Sequence, residues 1–204
     1  LSFAPSLIVS AEGAGPPEVV DILRAASVDF TEVPSGYHAE AIAQKIRVVG
    51  AALQVTDLAE NLVEQAQTEI DLAVANASRA EGVRKRVLFV LSTQGGRILA
   101  SGTGTGADGI IQMSGALNAI SEFEGYKPLT DEAAAAAAPD VILMMDREGN
   151  HASTDEELFT MPALSATPAA ETKSVVRMNS LLLLGFGPRT AKAVTALNQA
   201  LYPV

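Results

Sequence analysis

Short apolar runs alternate along the chain with segments whose apolar residues recur every three or four positions, so strands and helices succeed one another. Leu7-Ile8-Val9 predicts a buried strand, and the turn residues Glu12 to Gly15 lead to Pro16-Pro17, a favourable start for a helix carrying Val19, Val20, Ile22 and Leu23. Val28 and Phe30 alternate on a second strand, Pro34 to Gly36 break it, and Ile42, Ile46, Val49 and Leu53 mark the next helix. Thr56 is placed to cap a helix from Asp57 to about Ala77, whose stripe of Leu58, Leu62, Val63, Ala66, Ile70, Ala73 and Val74 is amphipathic. At about 1.5 Å per residue this helix is roughly 30 Å long and reads as a connecting element.

Beyond it, Val87-Leu88-Phe89-Val90-Leu91 is the uninterrupted run of a parallel strand covered on both faces. A short strand at Ile98 to Ala100 is followed by Gly102-Thr103-Gly104-Thr105-Gly106 and a helix containing Ile110, Ile111, Met113 and Leu117. Thr105 and Asp108 there have capping-box spacing. Phe123 to Leu129 reads as a loop. Thr130-Asp131-Glu132 starts an alanine-rich helix that runs through Ala138 and stops at Pro139. Val141 to Met145 is another buried strand, Ser153 and Glu156 form a second capping box, Val175 to Met178 is a strand, and the last helix starts near Pro188. The alternation predicts an α/β fold with a partial N-terminal lobe over residues 1–55, a connecting helix over 56–80 and a C-terminal lobe over 81–204. Two strand–helix units make little sheet for a free-standing N-terminal lobe.

Composition narrows the chemistry. In 204 residues, 14 Lys and Arg face 24 Asp and Glu, a formal charge of −10 that disfavours nucleic acid and anionic lipid. Without cysteine there is no disulfide, thiolate nucleophile or cysteine-ligated metal. No apolar run approaches the roughly 18–20 residues that cross a bilayer, so membrane insertion is not expected, and no basic segment with a processing site opens the chain. The glycine-rich segment at 102–109 lacks the lysine and hydroxyl of a nucleotide loop and does not complete the dinucleotide fingerprint. His38 and His151 lie beside turn residues in no metal-ligand repeat, and no serine elbow is present, so an enzyme is disfavoured.

Three local combinations remain. Tyr37-His38 sits in the loop after a strand, where α/β folds commonly hold ligands. Phe123 to Leu129 gathers an aromatic ring, the Tyr126 phenol and the Lys127 cation, while Phe186 and Arg189 flank the start of the last helix. A flat apolar ligand with carboxylates would use rings for its faces and Lys127 or Arg189 for its acids. Tyr126 has two readings, a phenolate ligand for ferric iron or a hydrogen bond across a loop.

The stretches Ser10 to Glu18, Val87 to Ser92, Thr105-Gly106-Ala107-Asp108, Phe123 to Leu129 and Leu182 to Gly187 together resemble the haem-binding periplasmic component of bacterial haem ABC importers, over nearly the whole chain. The resemblance implies a class III periplasmic binding protein: two Rossmann-like lobes joined by a long rigid helix, haem b held between them as transported cargo, and delivery in the periplasm to an inner-membrane ABC permease–ATPase complex. The same fold serves corrinoid and ferric-siderophore carriers, which are the alternative. The family has further strand–helix elements before the match to Leu1, including the loop with its N-lobe ferric-haem tyrosine. The N-terminal lobe is therefore expected to be truncated here, and Tyr37 does not take that role. By resemblance, Tyr126, Lys127 and Arg189 contact porphyrin or propionates, Glu18 docks on basic permease residues, and Glu156 or Glu157 is the corresponding C-lobe carboxylate.

Overall fold

The computed structural model describes residues 4–80, 82–146 and 154–203. In the N-terminal unit, β1 (Leu7–Ala11) and β2 (Asp29–Val33) pair in parallel, joined by α1 (Pro17–Arg24). Pro17 begins α1, where its missing N–H costs nothing. None of the α1 residues is buried, and Val9, Val19 and Ile22 are exposed. The unit is tied by the Arg24 guanidinium, which pairs with Glu32 and stacks on Phe30.

Next come α2 (Ala39–Ala52) and the long α3 (Thr56–Ala77), which pack against each other. The 22 residues of α3 span about 33 Å. Helical geometry starts at Thr56 itself, so the expected cap at Thr56 is not formed: Val55 is the flanking residue, no side chain caps the helix, and its first turn closes with the ordinary backbone bond from Ala59 N–H to the Val55 carbonyl. Gly50 lets the two helices approach, because a Cβ there would collide with Ala59.

The C-terminal unit is a six-stranded sheet of β3 (Arg86–Ser92), β4 (Ile98–Ser101), β5 (Leu117–Asn118), β6 (Tyr126–Leu129), β7 (Val141–Met145) and β8 (Val175–Met178), in order β6-β4-β3-β7-β8 with β5 also on β3. β5, β7 and β8 run parallel to the strands they join, while β4 and β6 form an antiparallel edge. Period-two alternation on β3 sends Val87 and Phe89 to one apolar layer, Leu88 and Val90 to the other. The first layer packs under α3, α4 (Gly106–Met113), α9 (Ser180–Leu184) and α10 (Thr190–Leu201); the second under α5 (Asp131–Ala137), α6 (Asp155–Thr160), α7 (Pro162–Ser165) and α8 (Pro168–Thr172).

Several local expectations are corrected. Leu117 leaves the helix, which ends at Met113 with Gly115 at φ 76°, and pairs with Arg86 in β5. Tyr126 to Leu129 is a strand rather than loop, since the free edge of β4 takes it up; Pro128, which lacks an N–H, is accommodated on this outer strand. The capping box of α6 uses Thr154 and Glu157, one residue beyond the expected pair. Ser153 and His151 lie outside the described residues.

Candidate functional site

The start of α4 organises the region where the two units meet. Thr105 holds its N-cap, accepting from Asp108 N–H at 3.0 Å. The reciprocal bond of a capping box is shifted: the Asp108 carboxylate accepts instead from Gly104 N–H, and also from the side-chain amides of Gln112 and Asn118 at 2.9 and 3.1 Å. Asn118 in turn donates to the Gly102 carbonyl. The nearly buried Asp108 thus fixes the glycine loop to the helix that follows it.

Tyr126 lies against this helix start. Its ring meets Phe89 edge-on at 6.4 Å, and its phenol lies near the Thr105 hydroxyl and the Ala107 N–H. Burial pushes the phenol above its ordinary pKa and the neighbouring Tyr37 phenol adds to this, while the nearby Thr105 hydroxyl and Ala107 N–H pull the other way. The result is a neutral phenol at neutral pH, 38 % exposed and reachable by a ligand.

Tyr37 arrives from the loop after β2. Its ring packs edge-on against Phe186, centroids 5.1 Å apart, and both rings cover the glycine face of α4. Gly106 and Gly109 make this approach possible: a Cβ at Gly109 would lie 2.5 Å from the Tyr37 carbonyl oxygen, and one at Gly106 would lie 3.2 Å from Phe186 Cε2. Phe186 is 3 % exposed and holds φ at 42°, a left-handed conformation that costs a non-glycine residue roughly 1–2 kcal/mol. Burying the ring offsets that cost.

Lys45 completes the junction. Its ammonium donates to the Gly36 carbonyl at 2.7 Å and stands 5.7 Å from the ring centroids of both Tyr37 and Phe186. Burial lowers its pKa. The sequence reading missed this residue, although a signal existed: Lys45 is three residues after Ile42 and four before Val49, on the apolar stripe of α2. A groove of about 460 Å³ opens beside it, walled by Ile46, Val49, Leu58, Leu62 and Phe186.

The other candidates are distributed more widely. His38 Nδ1 accepts from Ala41 N–H and caps α2. Lys127 is next to Tyr126 in β6 and therefore projects to the opposite face, where its ammonium is 5.4 Å from the Phe123 ring. Arg189 is exposed at the lip of a hollow of about 120 Å³ formed with Gly185 to Pro188. Glu18 is exposed in the first turn of α1. Glu156 is exposed on α6, whereas the Glu157 carboxylate is engaged by Thr154 N–H at 2.9 Å. The structure therefore brings Tyr37, Tyr126 and Phe186 together and leaves Lys127, Arg189 and the three glutamates outside that cluster. Among the described residues no group of three or more His, Cys, Asp or Glu could hold a metal ion, and no helix is long and apolar enough to cross a membrane.

Comparison with known proteins follows the same lines. Residues 1–181 match the family model described as periplasmic binding protein. The periplasmic heme-binding protein BhuT, solved in complex with two hemes, is 38% identical with a TM-score of 0.91, covering 98% of this chain and 76% of that one. The periplasmic heme-binding protein RhuT from Roseiflexus sp. RS-1, in apo form, is 34% identical with a TM-score of 0.92, covering 99% and 77%. The periplasmic heme binding protein HutB of Vibrio cholerae is 26% identical with a TM-score of 0.85, covering 99% and 79%. Among curated proteins, none matches.

Proposed function

The chain belongs to the periplasmic binding protein family, and from that premise we propose that it captures haem between its two units and delivers it to an ABC importer. The observation that carries the reading is the likeness, over nearly the whole chain, to carriers whose names state that they bind heme. The aromatic cluster at α4 supports it: a flat apolar ligand gains from ring contacts, and the site offers polar ends rather than a nucleophile. Catalysis is no part of this role. The cargo is haem b, the working compartment is the periplasm, and the partner is a permease–ATPase complex.

In this reading, residues 1–55 and 81–204 are the two lobes and 56–80 the helix between them. Tyr126 faces the iron. Its neutral phenol gives up a proton as ferric iron binds, because a hard anionic oxygen suits that metal. Phe186, Tyr37 and His38 shape the wall of the cleft, Arg189 meets a propionate, and Glu18 with Glu156 or Glu157 meets basic permease residues; Lys127, on the opposite face of β6 from Tyr126, is left out of the propionate contacts first expected of it. Arg189 has no side-chain partner among the described residues, which suits a guanidinium kept for a carboxylate.

The test is a stoichiometric titration of the protein with ferric haem, followed at the Soret band. Saturable binding is expected, with a changed metal-centred spectrum in Tyr126→Phe and weaker binding without a spectral change in Arg189→Ala. Absence of saturable binding, with cobalamin or a ferric siderophore retained instead, would overturn the haem assignment.

A further inference from the structure

The ion pairs among the described residues stay within their own neighbourhoods: Arg24 with Asp21 and Glu32, Arg47 with Glu40 and Glu60, Arg177 with Asp155. None joins the N-terminal unit to the sheet of β3 to β8. Besides the link through α3, the units meet where Ile42 of α2 enters the apolar layer of α4, α9 and α10, with Ala39 and Ile46 packed against it, and where Tyr37 and Phe186 cover Gly106 and Gly109. Lys45 stands over that contact. It belongs to one unit through α2 and its bond to Gly36, and reaches the other through the face of Phe186. No carboxylate of the described residues pairs with it, so its electrostatic partners are a carbonyl dipole and two ring quadrupoles. Partial burial strengthens such contacts, because less water competes for the ammonium.

We propose that Lys45 is a positioning residue: by clasping the Gly36–Tyr37 loop and Phe186 together it seats the N-terminal unit on α4 and so sets the width of the cleft at Tyr126. Tyr126 lies beside the same helix start, near Thr105 and Ala107, which makes α4 the common reference for both walls. A methionine in place of Lys45 keeps the length and apolar stem but removes the charge, and with it the bond to Gly36 and the cation–π attraction to both rings. The link to haem rests on the carrier reading above; the link to unit geometry does not.

Two measurements separate these links. The sequence has no cysteine, so Asp29→Cys and Glu171→Cys, both at exposed positions, place one spin label on each unit for dipolar distance measurement. Lys45→Met is expected to broaden the distance distribution toward longer values, Lys45→Arg to restore it, and Arg47→Met, which breaks only the pairs with Glu40 and Glu60, to leave it unchanged. Phe186→Leu, which keeps an apolar side chain but removes the ring, is expected to broaden it likewise and serves if Lys45→Met does not fold. A distribution in Lys45→Met or Phe186→Leu superimposable on the parent overturns the proposal.

The second measurement is transfer of bound ferric haem to apomyoglobin. Lys45→Met is expected to release it about 3- to 10-fold faster, the scale of one or two cation–π contacts, with the Soret maximum in place because Lys45 does not touch iron. An unchanged release rate would refute the coupling of the clasp to the cleft. If the parent protein takes up no haem, the carrier reading falls while the distance result still decides the role of Lys45.

Discussion

Replacing Gly109 by alanine sets two known effects against each other. In an ordinary helix interior, alanine stabilises by roughly 0.5–1 kcal/mol relative to glycine, because less backbone freedom is lost on folding. Here the new Cβ would stand 2.5 Å from the Tyr37 carbonyl oxygen and 2.8 Å from Tyr37 Cβ, so backbone rather than a flexible side-chain tip must yield. Forcing a methyl into such a contact typically costs about 1–3 kcal/mol. The balance runs from about zero to a net loss of about 2.5 kcal/mol, or a midpoint lowered by up to about 10 °C for a protein of this size. Gly106→Ala is the internal control: its Cβ meets the edge of the Phe186 ring at 3.2 Å, which a few tenths of an ångström relieves, so its effect stays within about 0.5 kcal/mol of zero. Urea unfolding followed by far-ultraviolet circular dichroism, with an unchanged slope, gives both values. A Gly109→Ala protein more stable than its parent by the full propensity gain would show that the Tyr37 loop is not seated on α4, and the account of the junction would be wrong.

Asp108→Ala removes the acceptor for Gly104 N–H, Gln112 and Asn118 together and is expected to cost about 2–4 kcal/mol in urea unfolding, with Asp108→Asn intermediate; near-neutral behaviour of the alanine variant would contradict the network. Glu12 accepts from the Ser35 N–H and hydroxyl, both at 2.8 Å, and these bonds hold its carboxyl below the ordinary glutamate value. A lowered folded pKa means that this tie between the loops after β1 and β2 is present above the unfolded pKa and is lost as pH falls through the folded one. Carbon-detected NMR should therefore show Glu12 titrating below the ordinary value, and Glu12→Gln should abolish the acid-induced shift of the Ser35 amide; an ordinary Glu12 titration would remove the basis for that tie.

Much of the fold was readable because the strongest elements carry dense local signals. The runs of β3 and β7, the proline at the start of α1 and the stripe of α3 each say locally what they become. β5 and β6 did not, because their pairing is decided elsewhere. Leu117 is drawn into a two-residue strand by the free start of β3, and Tyr126 to Leu129, carrying a lysine and a proline, becomes a strand only because β4 offers an unpaired edge. Around α6, Ser153 with Glu156 and Thr154 with Glu157 have the same spacing, so spacing alone could not choose between them. Of the site, Tyr126, Tyr37 and Phe186 were visible as aromatic residues in turn-rich surroundings. Their meeting on Gly106 and Gly109 was not, since it depends on how α2 and α9 bring distant loops to one helix. Two adjacent residues illustrate the limit: Tyr126 and Lys127 looked like one binding group in sequence, and strand geometry points them apart.

The long helix α3 also means that, within the described residues, the polypeptide passes between the two units once. Residues 4–55 and 82–203 are each continuous in the chain, so neither unit interrupts the other. Such a layout is modular: the strand–helix elements on one side can be exchanged for those of a related protein by joining chains at a single seam, and a hybrid made within α3 would inherit one wall from each parent.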